Sequence, residues 1–340
     1  MGKPLLSICI ATMNRALPLR ETLKSIFSQS PSEVDVVIVD GSSTEDTEEV
    51  VSRFPEHTSR IHYVRKKRPE GVDRDFDTAV GHARGEYCWL LADDDPLKPG
   101  ALGRVMEALR RFPSVVVVNA EVRNPDLSLL LEERRLRIHV DRTYSPAQFR
   151  EFFIETAGYL SFVGGVVIQK KLWCSRERGL YYGTEFLHVG VLFQAPLPGE
   201  AFVIAEPLIS IRYGVAKWTA RGFDIWMFKW PGLIWSFPGF SDSDKVLVTP
   251  REPWRALKTL LTFRATGAYS LREYRTIISC RPGQGWKRLI PWVVAILPGI
   301  VVNTLGILYF SLFHRHALMP LVDLSNSRFC VMNLLRKGVR

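Results

Sequence analysis

Three adjacent aspartates, Asp93, Asp94 and Asp95, follow the apolar run of residues 86–92 and precede a proline. Neighbouring carboxylates repel one another, so such a group either faces water as an acidic turn or holds a cation. A hard cation such as Mg²⁺ prefers carboxylate oxygens and leaves coordination positions open for the phosphates of a substrate. Asp93 and Asp95 are therefore candidate ligands of a metal–diphosphate unit, while Asp94 holds the loop or contacts a sugar hydroxyl.

Two further polar clusters, residues 11–15 (ATMNR) and residues 39–43 (VDGSS), also follow apolar runs. Ligands of open α/β sheets bind at the carboxyl ends of the strands, where clusters of this kind gather. We therefore expect the three clusters to lie together, with Asp40 accepting a hydrogen bond from the base or the ribose of a nucleotide. The recurrence of the pattern carries more weight than a single D-x-D motif, which is common in solvated turns.

These clusters are embedded in a regular alternation of strand-like and helix-like segments. Strand-like runs occupy residues 5–12, 34–40, 60–66, 86–92 and 115–122, and helix-like segments separate most of them. Strands separated by helices need crossover connections, which produce a mainly parallel sheet. The sequence therefore predicts an α/β fold with the polar clusters along one edge of its sheet.

The order of three segments, SICIATMNR, VDVVIVDGSSTEDTEEVV and RDFDTAVGHARGEYCWLLADDDPLKPGAL, resembles the family 2 glycosyltransferases. This resemblance implies the GT-A fold, a Rossmann-like sheet that binds a nucleotide-diphosphate sugar. It identifies Asp93 and Asp95 as the D-x-D motif, which binds Mg²⁺ or Mn²⁺ together with the donor diphosphate. It further implies donor contacts from Thr12, Asn14, Arg15, Asp40, Arg74, Asp75, Asp93 and Asp94.

The resemblance also implies an inverting reaction, in which a carboxylate base takes the proton of the attacking acceptor hydroxyl. Family members usually supply that base from a Glu–Asp pair downstream of the D-x-D motif, and this chain lacks the pair. Glu185, in the segment YYGTEFLHVG, is the expected base. His188, as a base or as a metal or phosphate contact, and Asp224 are rival candidates. His188 also fits a helix histidine whose hydrogen bonds are satisfied within the fold.

A tryptophan-rich stretch, residues 211–237, is similar to the abequosyltransferase-like branch of family 2, which adds sugars to bacterial lipid-linked O-antigen units. Aromatic faces stack on sugar rings, so Trp218, Trp226 and Trp230 are expected acceptor contacts, although buried core positions or membrane anchoring are alternatives. The expected reaction transfers one sugar to a polyprenyl-diphosphate-linked saccharide or another glycolipid.

Residues 289–313 carry no charged side chain and are flanked by basic residues on both sides. The length suits a bilayer span, but Pro298–Gly299 near its middle predicts a kink. We expect a kinked, re-entrant or in-plane segment at the cytoplasmic face of the inner membrane, with a buried core helix as the alternative. The net charge of +10 favours anionic partners such as this membrane surface, and no nucleic-acid-binding module is recognisable.

The chain is thus predicted to comprise a nucleotide-sugar-binding half (1–122), an acceptor-binding half (123–240) and a basic C-terminal region (241–340) that includes the apolar segment. Five scattered cysteines favour a reducing compartment. Two other functions stay open: a catalytically inert membrane scaffold with the same fold, and a nucleotidyltransferase. The segment ATMNRALPLR argues against the latter because it lacks the glycines of a phosphate-binding loop.

Overall fold

The computed structural model describes residues 3–29, 33–44, 46–54, 59–215, 221–281, 285–314, 316–331 and 333. Two compact units make up the chain. The first comprises Met1–Arg123, Glu133–Arg212 and Phe237–Val248, and the second comprises Asn124–Glu132, Tyr213–Ser236 and Thr249–Arg340.

Nine strands are present in the described part of the chain: β1 Leu6–Thr12, β2 Val34–Asp40, β3 Ile61–Arg65, β4 Tyr87–Ala92, β5 Val115–Arg123, β6 Leu130–Glu132, β7 Arg142–Tyr144, β8 Val166–Gln169 and β9 Ala201–Arg212. In the first unit the strand order is β3-β2-β1-β4-β8-β5-β9-β7. The first four strands of this order run parallel, β8 is antiparallel to both of its neighbours, and β9 runs parallel to β5. The predicted mainly parallel sheet is confirmed.

The α-helices in chain order are α1 Ala16–Phe27, α2 Asp46–Ser52, α3 Val72–His82, α4 Ala101–Leu109, α5 Phe149–Thr156, α6 Lys170–Ser175, α7 Leu187–Phe193, α8 Gly222–Asp224, α9 Trp230–Ser236, α10 Asp242–Val248, α11 Leu257–Thr266, α12 Leu271–Glu273, α13 Leu289–Ile296, α14 Gly299–Phe313 and α15 Leu318–Asn326. Two five-residue π-helices, Ile225–Lys229 and Tyr274–Ile278, follow α8 and α12. Short 3₁₀ helices lie at Pro146–Gln148, Tyr159–Ser161, Val163–Gly165, Gly179–Tyr181, Pro253–Arg255 and Gly285–Arg288.

The first-unit core follows from the apolar character of its central strands. Every residue of β2 is buried, as expected of a parallel strand that helices cover on both faces. On α1 the buried apolar residues Leu19, Leu23, Ile26 and Phe27 recur at helical spacing and pack into this core. Burial of side chains of this size contributes about 1.5–3 kcal/mol each, so the sheet is a rigid platform for the loops at its edge.

Strand register places the predicted polar clusters together. Thr12 is the register partner of Asp40 in the β1–β2 pair, and Ala11 is the partner of Ala92 in the β1–β4 pair. Because all three strands are parallel, they end at the same edge of the sheet. The loops that follow β1, β2 and β4 therefore start side by side.

The compact units divide the chain differently from the predicted boundaries at residues 122 and 240. β8 and β9 pair within the central sheet, so residues 133–212 belong to the first unit. Residues 213–236 instead join the C-terminal region in the second unit. The chain leaves and re-enters the first unit, a pattern that composition along the sequence does not reveal.

The apolar C-terminal segment is bent in the second unit. No single described helix is long and apolar enough to cross a membrane. The helical segments Gly285–Ile296 and Gly299–Phe313 are long and apolar enough when taken together, but the chain bends by 87° between them. The break falls at Leu297–Pro298, which confirms the predicted kink. A Cβ atom on Gly299 would lie 2.4 Å from the ring of Phe329, so this position has no room for a side chain.

Gly85, which precedes β4, tests how tightly the chain is packed at the amino ends of β1 and β4, opposite the polar clusters. A Cβ atom at Gly85 would lie 2.5 Å from the backbone nitrogen of Ser7, whereas one at Gly81 in α3 would meet nothing within 4 Å. We expect Gly85→Ala to lower the free energy of unfolding by about 1–3 kcal/mol, since backbone has to shift to accept the methyl group. Urea unfolding measures the change. Gly81→Ala is the control and should be neutral or stabilising; an equally neutral Gly85→Ala would refute the close packing.

Candidate active site

The three aspartates after β4 are buried, and Asp93 and Asp94 bond to the end of β1 or to the loop that follows it. Thr12 Oγ1 donates a hydrogen bond of 2.7 Å to Asp93 Oδ2, and Arg15 Nε lies 3.3 Å from Asp93 Oδ1. A second guanidinium nitrogen of Arg15 pairs with Asp94. The aspartates are between 4% and 9% exposed, which rules out a solvated acidic turn in this structure. The structure thus brings Thr12, Arg15 and the D-x-D segment together, as predicted.

Asp95 points to a different part of the sheet. Its Oδ1 accepts a 2.8 Å hydrogen bond from the backbone N–H of Arg212, at the end of β9. Burial, followed by the neighbouring charge of Asp94, raises the pKa of Asp95 well above its ordinary value. Burial likewise raises the pKa of Asp94, although Arg15 opposes the shift. The site therefore favours either a proton or a cation on these carboxylates.

The loops after β1 and β2 are cross-linked through Asn14. The backbone N–H of Asn14 donates to Ser42 Oγ at 2.7 Å, and Asn14 Oδ1 accepts from the backbone N–H of Ser43 at 3.0 Å. Asn14 has φ 54°, a left-handed conformation that asparagine tolerates better than most residues. Asn14 therefore fixes the geometry of the two loops, besides its predicted contact with the donor.

Asp40 is fully buried and both of its carboxylate oxygens are engaged. Oδ1 accepts from the backbone N–H of Ser42 at 2.8 Å, and Oδ2 accepts from the hydroxyl of Tyr63 at 2.6 Å. Asp40 has no exposed surface in this structure with which to make its predicted contact with a nucleotide. Its observed role is to hold the loop that begins at Gly41.

Arg74 and Asp75 lie in the first turn of α3. Asp75 is 3.5 Å from Lys66 Nζ, and the backbone N–H of Lys66 donates to the carbonyl of Asp40. Burial raises the pKa of Asp75, and Lys66, whose Nζ faces the Oδ1 of this carboxylate, opposes the shift. The guanidinium of Arg74 instead stacks over the ring of Tyr182, 4.3 Å from its centroid.

Asp73, in the same turn, holds the loop that carries Glu185. Its carboxylate accepts three backbone hydrogen bonds, from Gly183 at 2.8 Å, Glu185 at 2.9 Å and Leu187 at 3.1 Å. Glu185 has φ 72°, a strained conformation for a residue with a side chain. The loop thus stores backbone strain at the expected base, and Asp73 is the residue that stabilises it.

His188 lies inside α7 and is buried. Its Nε2 is 2.7 Å from the carbonyl oxygen of Leu160, and burial lowers the pKa of its ring to about 4. A neutral ring bonded to a backbone carbonyl fits a histidine that stabilises the fold better than it fits a catalytic base. The third candidate, Asp224, ends α8 in the second unit.

The tryptophans differ in their surroundings. Trp230 is buried in the second unit, whereas Trp226 is half-buried on the π-helix Ile225–Lys229. Their rings meet edge to face with centroids 6.2 Å apart. Trp230 therefore serves the core, and burial leaves it little surface for an acceptor sugar. Trp218 lies outside the described residues.

Three residues that hold the site together were not predicted from the sequence: Asp73, Lys66 and Arg212. Lys66 and Arg212 follow or end strands, so extending the strand-end rule to β3 and β9 would have found them. Asp73 had no such signal, because its partners lie 110 or more residues away along the chain.

No group of three or more His, Cys, Asp or Glu side chains is arranged to hold a metal ion within the described ranges. Asp93 and Asp95 nevertheless fit a magnesium or manganese ion by their chemistry, since Mg²⁺ is commonly held by one or two carboxylates plus substrate phosphates. The second carboxylate oxygen of Asp95 has no hydrogen bond to any described residue and keeps its lone pairs available.

The fold is shared with a solved mannosyltransferase from Pyrobaculum calidifontis in complex with GDP-Man and Mn²⁺. The match has a TM-score of 0.54 at 16% identity and covers 99% of this chain and 89% of the other. At this identity the match shows the fold alone, and this fold is the GT-A fold.

Residues 7–166 match the model of Glycosyl transferase family 2, so this part of the chain is a family 2 glycosyltransferase domain. Abequosyltransferase RfbV from Salmonella typhimurium is 28% identical over 225 residues, which cover 61% of this chain and 66% of the relative. A GalNAc(5)-diNAcBac-PP-undecaprenol beta-1,3-glucosyltransferase from Campylobacter jejuni is 31% identical over 105 residues, or 31% of this chain and 34% of the relative. The chain thus spans at most 66% of the length of these two curated relatives.

The lowered pKa of His188 predicts acid sensitivity with a definite sign. Above the unfolded pKa of 6.5 both states are neutral; below it the unfolded chain takes up the proton first, so stability falls as the pH drops towards 4. We expect His188 to remove about 2 kcal/mol of stability between about pH 7.5 and about pH 5. Urea unfolding of wild type and His188→Gln at both pH values measures it, because the variant lacks this pH-dependent loss.

His139→Gln, at an exposed position, is the control and should keep the wild-type pH dependence. A His188→Gln variant with the same pH dependence as wild type would contradict the buried neutral histidine. It would return His188 to the list of candidate bases.

Proposed function

We propose that the chain transfers one sugar, with inversion, from a nucleotide-diphosphate sugar to a lipid-linked saccharide in bacterial cell-surface polysaccharide synthesis. The carrying observation is the buried cluster of Thr12, Arg15 and the three aspartates at the carboxyl edge of the sheet. The solved mannosyltransferase complex, which contains GDP-Man, supports this class of donor. The names of the two curated relatives support the acceptor class, because one specifies a saccharide on PP-undecaprenol.

The residues at this edge have separate tasks in donor binding. Asp93 and Asp95 would hold Mg²⁺ or Mn²⁺, which supplies positive charge against the departing diphosphate when bound. Thr12 and Arg15 keep the carboxylates oriented, so little reorganisation is needed when the donor arrives. Asp75, which pairs with Lys66 at this edge, would accept a hydrogen bond from a hydroxyl or amide group of the donor.

Glu185 is the proposed base. In the transfer step the acceptor oxygen bonds to the anomeric carbon as the bond from that carbon to the diphosphate oxygen breaks. The electron pair leaves with the nucleoside diphosphate, and Glu185 takes the acceptor proton. Three backbone hydrogen bonds to Asp73 define the loop position of Glu185, which is the precision that proton transfer requires.

Two isosteric amide substitutions separate donor binding from chemistry. Glu185→Gln should bind donor normally but lower turnover by about 100-fold or more, because it cannot accept the proton. Asp95→Asn should lose the stabilisation of the donor complex by Mn²⁺, since an amide is a poorer ligand for a hard cation. The measurements are donor binding by calorimetry with and without Mn²⁺, and nucleotide release with a bacterial lipid extract as acceptor source.

Glu206→Gln, at an exposed position on β9, is the matched control and should retain full activity. Unchanged turnover in Glu185→Gln would reject Glu185 as base and leave Asp224 as the next candidate. Metal-dependent donor binding without turnover on any lipid would instead favour the inert scaffold. Absence of donor binding in the wild type would reject the proposed function.

The C-terminal segment is proposed to lie in the plane of the cytoplasmic membrane surface. α13 and α14 expose twelve large apolar side chains that are each more than 40% accessible: Leu289, Ile290, Trp292, Val293, Ile296, Ile300, Val301, Leu305, Leu308, Tyr309, Leu312 and Phe313. A contiguous apolar surface of this kind is uncommon on a monomer that contacts only water. The basic residues Lys287 and Arg288 before it, with the net charge of +10, favour anionic lipid headgroups.

Charge placed on this surface should weaken membrane binding. We expect the double variant Leu305→Glu/Leu312→Glu to bind vesicles of anionic phospholipid about tenfold more weakly than wild type, because carboxylates oppose insertion of the apolar face. Vesicle co-sedimentation measures the affinity. Val140→Glu/Leu180→Glu, which alters two apolar residues of the first unit that are even more exposed than Leu305 and Leu312, should bind nearly as wild type. Equal losses in both variants would reject the proposed membrane face.

A further inference from the structure

An open cavity of about 390 Å³ lies within the second unit. Its volume is in the range of small-molecule sites, which span about 300–1,000 Å³. The walls combine apolar and aromatic side chains with two guanidinium groups, and the principal ones are Met227, Phe228, Trp235, Trp254, Arg251 and Arg281. None of the predicted site residues lines this cavity.

The two arginines are held by aromatic rings. The guanidinium of Arg281 lies 3.8 Å from the ring centroid of Phe228, and that of Arg251 lies 5.3 Å from the ring centroid of Trp235. Neither guanidinium forms an ion pair or hydrogen bond with another residue that the structure describes. A guanidinium that stacks on a ring keeps its N–H edges available, and its planar fork matches the oxygens of a phosphate.

The carboxylate beside the arginines does not cancel their charge. Glu252 also lines the cavity, but it is paired with Arg255 at 2.6 Å. The cavity therefore presents net positive charge to its ligand. This charge selects an anion rather than a neutral sugar or a simple hydrocarbon.

The aromatic walls are rigid. Trp254 is almost fully buried, and the indole N–H of Trp235 donates to the backbone carbonyl of Thr249 at 3.1 Å. Fixed rings lose little conformational freedom when a sugar face or a hydrocarbon chain packs on them. The cavity thus has one charged element and one apolar element, which matches a ligand with the same two parts.

The cavity and the exposed apolar surface share one hydrophobic core. Met227 and Trp254 belong to the same cluster of buried residues as Val294 and Ala295, which lie on the inner face of α13. The outer face of α13 exposes Trp292 and its apolar neighbours. The arginine-lined cavity and the helix with the exposed apolar face are therefore parts of a single packed unit.

We propose that this cavity binds the phosphate or diphosphate of an amphiphilic phosphoester, with Arg251 and Arg281 on the phosphate oxygens and the rings of Trp235 and Phe228 on the attached sugar or prenyl chain. The proposal rests on the proposed function only for the identity of the natural ligand, the lipid-linked acceptor. Binding of the phosphate itself is independent of transfer activity.

The test is calorimetric binding of three probes to the purified full chain: geranyl diphosphate, inorganic pyrophosphate and geraniol. Geranyl diphosphate should bind more tightly than either of the others, since only it engages both elements of the cavity. In Arg251→Gln/Arg281→Gln the affinity for geranyl diphosphate should fall about tenfold or more, because two charge-assisted contacts are lost. Arg251→Lys/Arg281→Lys, which keeps the charge but loses the planar fork, should give an intermediate loss.

Arg272→Gln/Arg275→Gln is the matched control, because it removes two exposed positive charges of the same unit outside the cavity. Equal weakening by this control, or no weakening by the cavity variant, would overturn the proposal. If pyrophosphate binds as tightly as geranyl diphosphate, the proposal of an amphiphilic ligand is overturned, and the cavity is a site for free phosphate or diphosphate. Binding of the nucleotide-sugar donor, measured on the same samples, reports on the first unit; its failure in wild type would reject the proposed function and leave the cavity result standing.

Discussion

The burial of three adjacent carboxylates is the constraint on which the first unit depends. Buried charges are costly unless they are paired or hydrogen-bonded, so each aspartate needs a partner from another segment. Arg15 pairs with Asp93 and Asp94, and the backbone of Arg212 bonds to Asp95. These partners are available only because β1 lies beside β4 and because the end of β9 pairs with the residues after Asp95.

The first turn of α3 connects the two proposed tasks of the enzyme. Asp75 contacts Lys66 at the carboxyl edge of the sheet, where the donor is proposed to bind, whereas Asp73 anchors the loop of Glu185. Both residues lie in one helical turn. Acidic residues are also favourable at a helix N-terminus, so the turn accommodates them at low cost. A displacement of α3 would therefore disturb the proposed donor contact of Asp75 and the position of Glu185 together. Donor binding and the proposed proton transfer thus depend on the position of the same helix.

The sequence predicted the parts of this site that local pattern determines. Apolar runs identified the strands, and the parallel order of those strands followed from the helices between them, so Thr12, Arg15 and Asp93 were expected to converge. Asp73 could not be predicted, because its bonds reach residues 183–187 and no local spacing encodes them. The roles of His188 and Trp230 were ambiguous for a related reason: burial separates a core residue from a functional one, and burial depends on the whole fold.

The two proposed phosphate sites differ in a way that the chemistry of transfer explains. The donor diphosphate has to leave, so its site gathers carboxylates suited to a divalent cation that stabilises developing negative charge. The diphosphate of a lipid-linked acceptor has to stay attached, so its site should hold charge without activating a leaving group. Arginines stacked on Phe228 and Trp235 meet that requirement, because they bind phosphate oxygens without a metal and leave the ester bond unpolarised by a Lewis acid.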